Sequence, residues 1–153
     1  MPLDRLDRAM LRALEEDARL SYADLGERVG LSKSPCWKRV QALEAAGVIE
    51  GYGARLSPAA LGLDLHAFVQ VQIAFAQHEA FEAAVRRQPA ILSCHATTGD
   101  ADYLLQVMAR SMADLDQLLR RDLWRLPGVQ RFTTTMVTRA IKAHAPLMAV
   151  VDD

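Results

Sequence analysis

Between Arg28 and Gln41 lie four basic side chains, Arg28, Lys33, Lys38 and Arg39, and no acidic one, in a chain whose formal net charge is −1. A local excess of this kind suits a phosphate backbone, whereas the bulk charge does not. Cys36, Val40 and Leu43 recur at i, i+4 and i+7, the apolar stripe of a helix opening near Ser32 with Pro35 in its first turn. Lys33, Ser34, Trp37, Lys38 and Gln41 then fall on its outer side. Such a helix fits the major groove of double-stranded DNA, where the outer residues near its N-terminus meet base edges. Ser34, Trp37 and Lys38 are expected to face bases, and Arg28, Ser32, Lys33 and Arg39 to hold phosphates, aided by the helix N-terminus. Each has a plainer reading. Lys33 and Lys38 serve equally as solubilising charges, Trp37 as a half-buried packing residue, and Arg39 as a partner for Glu44 or for an acid of the first helix.

A second cluster is the turn Gly99-Asp100-Ala101-Asp102. Glycine and aspartate suit tight backbone geometry, so the turn has a purely structural reading. As a magnesium site, two carboxylates without a third ligand are poor support. As a ligand site, its backbone N–H groups take an α-carboxylate and an aspartate takes the α-ammonium group. Thr97, Thr98, Tyr103 and Thr134 stand ready to add hydrogen bonds, although Thr133–Thr135 also reads as routine strand. Cys94-His95 is not a catalytic pair, because adjacent strand residues point to opposite faces. Cys94 and Cys36 read as small core residues and two separate thiols, with Cys36 close enough to the DNA-reading face to raise redox sensitivity. With two cysteines, no CxxC and four scattered histidines, no metal and no cofactor is expected. No nucleophile with a base, glycine-rich phosphate loop or convergent acid pair is present, so an enzyme is not expected.

These residues need elements to hold them. Leu3, Leu6, Met10, Leu11 and Leu14 define a first helix over Leu3–Glu16. Ser21-Tyr22-Ala23-Asp24 has the form of a capping box opening a second helix, which Gly30 ends. With the helix from Ser32 to Gly47 this is a helix-turn-helix. Val48–Leu56 reads as an extended connector and Ala59–Leu61 as a stub helix closed by Gly62. Beyond it the pattern is strand (67–73), helix (78–87), strand (91–98), strand (103–108), helix with a second capping box at Ser111–Asp114, and strand (129–136). The helix after Ser111 is expected to bury Met112, Leu115, Leu118, Leu119 and Leu123. The order β-α-β-β-α-β is the ferredoxin-like arrangement, with both helices on one sheet face. Val69, Val71 and Ile73 are read as lying on the other face, too apolar to stay wet, and a second copy of the domain is the simplest cover. The expected domains are 1–51 for DNA binding, 52–64 as linker, and 65–153 for effector binding and oligomerisation.

Length 153, with 51% hydrophobic and 24% charged residues, fits a globular, water-soluble protein of one domain or two small ones. No apolar run approaches the roughly 20 residues of a bilayer span, and Met1-Pro2-Leu3-Asp4-Arg5 lacks a secretory pattern. A cytoplasmic protein without a membrane partner is expected.

The segments Leu3-Asp4-Arg5-Leu6-Asp7, Leu31-Ser32-Lys33-Ser34-Pro35-Cys36-Trp37-Lys38-Arg39-Val40 with Leu43-Glu44, and Gly47-Val48-Ile49 running into Gly51-Tyr52 resemble the Lrp/AsnC family of bacterial transcription regulators. Gly99-Asp100-Ala101-Asp102-Tyr103-Leu104 and Leu126-Pro127-Gly128-Val129 are similar to the ligand-sensing half of that family, so the likeness spans about residues 3 to 145. The resemblance implies an α+β protein: an N-terminal three-helix winged helix-turn-helix joined to a C-terminal βαββαβ ferredoxin-like (RAM/ACT-like) domain. It implies a dimer through the C-terminal sheet, assembled further into tetramers or octamers. It also implies an amino acid or derivative bound between dimers at Thr97, Thr98, Gly99, Asp100, Asp102, Tyr103 and Thr134. One departure is Trp37, where relatives often have leucine outside a Pro-Cys-Trp-Lys-Arg subgroup. The expected function is sequence-specific DNA binding modulated by that effector, with an effector-independent architectural DNA-binding protein as the alternative.

Overall fold

The computed structural model describes residues 2–151, which form two compact units. One runs to Arg55 and takes in the C-terminal segment from Lys142; the other is Leu56–Ile141.

The first unit contains α1 (Arg5–Glu16), α2 (Tyr22–Val29) and α3 (Lys33–Ala45). Asp4 caps α1 in a full capping box, its carboxylate accepting the Asp7 N–H at 2.8 Å while the Asp7 carboxylate accepts the Asp4 N–H at 3.1 Å. Only half of the box expected on α2 forms. The Ser21 hydroxyl oxygen accepts the Asp24 N–H at 3.2 Å, but the hydroxyl itself donates to the Asp24 carboxylate at 2.6 Å. Met10, Ala13, Leu25, Cys36 and Val40 form the buried centre, with Leu43 beside them against Leu11. The i, i+4, i+7 stripe of α3 is therefore the core stripe.

Two glycines make the turn between α2 and α3. Gly30 ends α2 at φ +74°, the left-handed exit that glycine adopts without cost. Gly26, which the sequence reading passed over, is buried, and a Cβ there would stand 2.5 Å from the carbonyl oxygen of Leu31. The chain after the turn thus runs directly against α2, held by the Leu31 N–H to Gly26 oxygen bond of 2.8 Å.

Two expectations for this part of the chain change. In the fold, the segment from Lys142 groups with the helices. Met148 of a short helix α6 (Met148–Val151) is buried against Leu11 and Leu43, and the Glu15 carboxylate accepts the N–H groups of Leu147 and Met148 at 2.7 and 3.0 Å. Apolar spacing could not show this, since the segment is short and its partners lie more than a hundred residues away. The expected wing is not formed as sheet either: among the described residues, Glu50–Leu56 carries no strand pairing. Tyr52 is anchored instead, its hydroxyl donating to the Glu44 carboxylate at 2.9 Å.

The second unit is the antiparallel sheet β1 (Leu65–Ile73), β2 (Ile91–Ala96), β3 (Tyr103–Ala109) and β4 (Val129–Met136), in spatial order β2-β3-β1-β4. Helices α4 (His78–Val85) and α5 (Met112–Gln117) cover one face. The Leu118–Leu123 segment widens after α5 into a π-type turn, with the Trp124 N–H bonding the Leu119 oxygen at 3.0 Å. This wider turn brings Leu118 and Leu123, five residues apart, into the same core as Leu115, while Met112, expected inside, is 61% exposed.

The face assignment of β1 is reversed. Ala67, Val69, Val71 and Ile73 are buried with Phe81, Val85, Leu105 and Val107 beneath the helices. The cross-strand partners on the other face are His66 with Met108, Phe68 with Gln106 and Thr135, and Gln70 with Leu104 and Thr133. The uncovered face is thus mixed: Phe68, Leu104 and Met108 stand partly exposed among amides and threonines. Alternation established that one set lies inside; it could not say which set the helices would choose.

Candidate functional site

The outer side of α3 is built by the packing of its inner side. With Cys36, Val40 and Leu43 immersed in the helical core, Ser32, Lys33, Ser34, Trp37 and Lys38 are all exposed. Ser32 occupies the N-cap position without a side-chain capping bond, so the first N–H groups of α3 lack an acceptor from that hydroxyl and remain oriented toward solvent. Tyr22, at the first position of α2, meets Lys33, Ser34 and Trp37 around a depression of about 270 Å³ whose walls are almost wholly carbon. The N-terminal ends of the two helices therefore meet at one surface, where basic side chains, a hydroxyl and an indole 46% exposed stand together.

Arg28 is exposed and only loosely tied, 3.7 Å from Glu16. Arg39 is committed elsewhere. Its guanidinium donates at 2.7 Å to Asp4 and at 2.7 Å to Asp7, so it clamps α3 to the capping box of α1. The Asp7 side chain keeps only 10% exposure, and a carboxylate so placed needs a cationic partner. The Asp4 carboxyl is held below its ordinary range, first by the Asp7 N–H and then by Arg39. Of the two plain readings of Arg39, the pairing with an acid of α1 is the one the structure adopts. Cys36 is fully buried, and burial raises its thiol pKa.

At the second cluster the structure divides the expected residues in two. Thr97 closes the turn: its N–H donates to the Asp102 carbonyl at 2.9 Å and its hydroxyl to the Ala101 carbonyl at 2.8 Å. The Asp102 carboxylate accepts the Ile73 N–H at 2.8 Å, and its own N–H donates to the Val71 carbonyl at 2.9 Å. The amide of Gln72, a residue not foreseen here, donates to the Asp100 carbonyl. Gly99 sits at φ +112°, a conformation closed to most side chains. Thr97, Thr98, Gly99, Asp100 and Asp102 are all exposed, but only the backbone N–H groups of Thr98, Gly99 and Asp100 and the Asp100 carboxylate make no bond among the described residues.

Tyr103 and Thr134 are not part of that exposed edge. Tyr103 is buried on the helix-covered face, its ring 4.7 Å from Phe81 and its hydroxyl donating to Glu82 at 2.8 Å. Burial, and then the Glu82 carboxylate, push its pKa up to about 12. The Thr134 hydroxyl lies buried opposite Val69 without a partner. Cys94 points to the core beside Leu105, and His95 pairs on the other face with Leu104. A cleft of about 370 Å³ lies elsewhere on this unit, lined by Met108, Arg110, Asp114, Gln117 and Asp122 among others. Among the described residues no group of three or more histidine, cysteine or acidic side chains could hold a metal ion, and no helix is long and apolar enough to cross a membrane.

A helix-turn-helix with no acidic residue from Arg28 to Gln41, joined in one chain to a ferredoxin-like βαββαβ unit, is the build of a DNA-binding regulator with a second, ligand-binding half. Residues 3–44 match the AsnC-type helix-turn-helix domain, and residues 66–147 match the Lrp/AsnC ligand binding domain. The chain belongs to the Lrp/AsnC family of transcription regulators. It is 41% identical over 143 residues to the leucine-responsive regulatory protein of Escherichia coli K12, covering 92% of this chain and 87% of that one. A transcriptional regulator of Neisseria meningitidis solved as a complex with L-methionine aligns at a TM-score of 0.91 and 40% identity, over 95% of this chain and 96% of that one. AsnC of E. coli aligns at 0.90 and 27% identity, over 95% and 98% of the two chains. The protein is accordingly a DNA-binding transcription regulator with a ligand-binding domain of the Lrp/AsnC type.

Proposed function

We propose that the chain binds double-stranded DNA through the joined N-terminal ends of α2 and α3, as an oligomer, and that an amino acid at the 97–102 turn alters this binding. The observation that carries the reading is the division of α3, with Cys36, Val40 and Leu43 buried and Ser32, Lys33, Ser34, Trp37 and Lys38 exposed. Ser34, Trp37 and Lys38 meet bases; Ser32, Lys33 and Arg28 hold phosphates; Arg39 positions the helix by gripping α1. Asp100 takes over from Asp102 as the acceptor for an α-ammonium group, with the free N–H groups of Thr98 to Asp100 receiving the carboxylate. Methionine is the first effector to try, because the N. meningitidis relative was solved with it. Phe68, Leu104 and Met108 on the uncovered sheet face supply the apolar contact between copies. The protein acts by binding rather than by catalysis, and works in the cytoplasm where its DNA is.

The test is fluorescence anisotropy of the full chain on duplexes from its own upstream region, with and without methionine and the other amino acids. A shift in affinity or stoichiometry that disappears in Asp100→Ala supports the reading. Tight binding indifferent to every amino acid leaves DNA binding intact and removes the role given to the turn. The architectural alternative would then hold.

A further inference from the structure

The Trp37 indole stands out on the DNA-reading face. Every other exposed residue near the start of α3, from Ser32 to Ser34 and again Lys38, is polar or charged apart from Pro35. The large ring is left 46% exposed, and together with Tyr22 it walls a carbon-lined depression that opens between two helix N-termini. No acidic residue lines the depression; Lys33 stands in its wall and Lys38 follows Trp37 on the outer face. A polyanion is therefore drawn to a surface whose central hollow offers almost no hydrogen-bonding group. Within the major groove the base edges carry polar donors and acceptors, and the one methyl group among them is the 5-methyl of thymine.

We propose that the Tyr22–Trp37 depression seats the 5-methyl group of a thymine, so that one position of each half-site is read by apolar burial, with the Ser34 hydroxyl beside it bonding a neighbouring base edge. This rests on the DNA-binding reading above and adds the chemical group that is read. Burying one methyl corresponds to about a fourfold gain in affinity, and about fifteenfold where both half-sites of a two-fold operator carry the thymine.

The test uses the full-length protein and the duplex it selects from a random-sequence pool. Each thymine is replaced in turn by deoxyuridine, which removes the methyl and keeps every hydrogen-bonding group. Binding is read by anisotropy at fixed salt. The expected result is one symmetry-related thymine position where the replacement weakens binding about fourfold per half-site. In Trp37→Ala that penalty disappears while the salt dependence is kept; Trp37→Leu, checked for fold by circular dichroism, retains part of it. The proposal is overturned if deoxyuridine is tolerated at every position while the selected duplex is still preferred, which leaves the DNA-binding reading standing. It is equally overturned if the penalty survives in Trp37→Ala. Failure to select any sequence would sink both readings together.

Discussion

Lys38 and Arg39 are adjacent, both basic, and do different work. Lys38 projects from α3 with no partner among the described residues, whereas Arg39 bridges two carboxylates. Lys38→Ala should weaken binding to the selected duplex more than to unrelated duplexes, as loss of a base contact does, and, since a cation leaves the groove, lower the slope of log K against log salt by no more than about 0.9. Arg39→Ala should instead lower thermal stability, by about 1–3 kcal/mol for leaving Asp7 without its partner, and leave that slope unchanged. A salt slope that falls in Arg39→Ala as it does in Lys38→Ala would contradict the assignment. The same clamp predicts acid behaviour. The Asp4 carboxyl is held lower in the folded chain than in the unfolded one, so its stabilisation is full above the unfolded value near pH 4. It is lost as the pH falls through the lower folded value. Asp4→Asn should flatten the decline of the melting temperature in that acid window, as read by calorimetry. Composition alone could not separate the two cations, because the acids that claim Arg39 sit more than thirty residues upstream.

At the scale of elements, α3 is placed by contacts on three sides. The helical core holds its inner stripe, Arg39 ties it to α1, and Gly26 lets the turn that precedes it lie against α2. Gly26→Ala would force the Leu31 carbonyl away from a 2.5 Å approach. It should cost about 1–3 kcal/mol as an overpacking change, and should move the start of α3 enough to weaken specific DNA binding more than non-specific binding. Equal loss of both would argue that only stability was affected. The C-terminal α6 is the less expected support. Met148 is 6% exposed against Leu11 and Leu43, so Met148→Ala should destabilise the helical unit by about 2 kcal/mol, measurable in the first unfolding transition under denaturant. Helices and strands were legible from apolar periodicity, with ends within a few residues. The π-type turn after α5 was not, since a regular 3.6-residue period assigns Met112 to the core and the structure leaves it outside.

For the whole molecule, the sheet face that the helices leave open is the surface proposed to pair two copies. With Phe68, Leu104 and Met108 partly exposed among amides and threonines, this face is less apolar than Val69, Val71 and Ile73 would have made it, yet apolar enough to favour pairing. Phe68→Glu should shift the particle mass in analytical ultracentrifugation toward the single chain and, by separating paired recognition helices, weaken operator binding far more than binding of a single half-site. An unchanged mass would place the contact elsewhere.

The order of elements, the inner stripe of α3, the basic face opposite it and the exposed Gly99–Asp100 edge are all written in local spacing, because each depends on residues only a few positions apart. Tertiary structure alone decided the rest. It chose which face of β1 meets the helices and tied the Asp102 carboxylate to the Ile73 N–H. It also buried Tyr103 against Glu82, gave Arg39 to Asp4 and Asp7, and folded α6 back onto α1. Each of these depends on a partner distant along the chain, and a one-residue change in register or one extra atom in a turn reverses it. A periodic pattern encodes that a face will be buried, but the identity of what buries it is set only when the whole chain competes for the same surface.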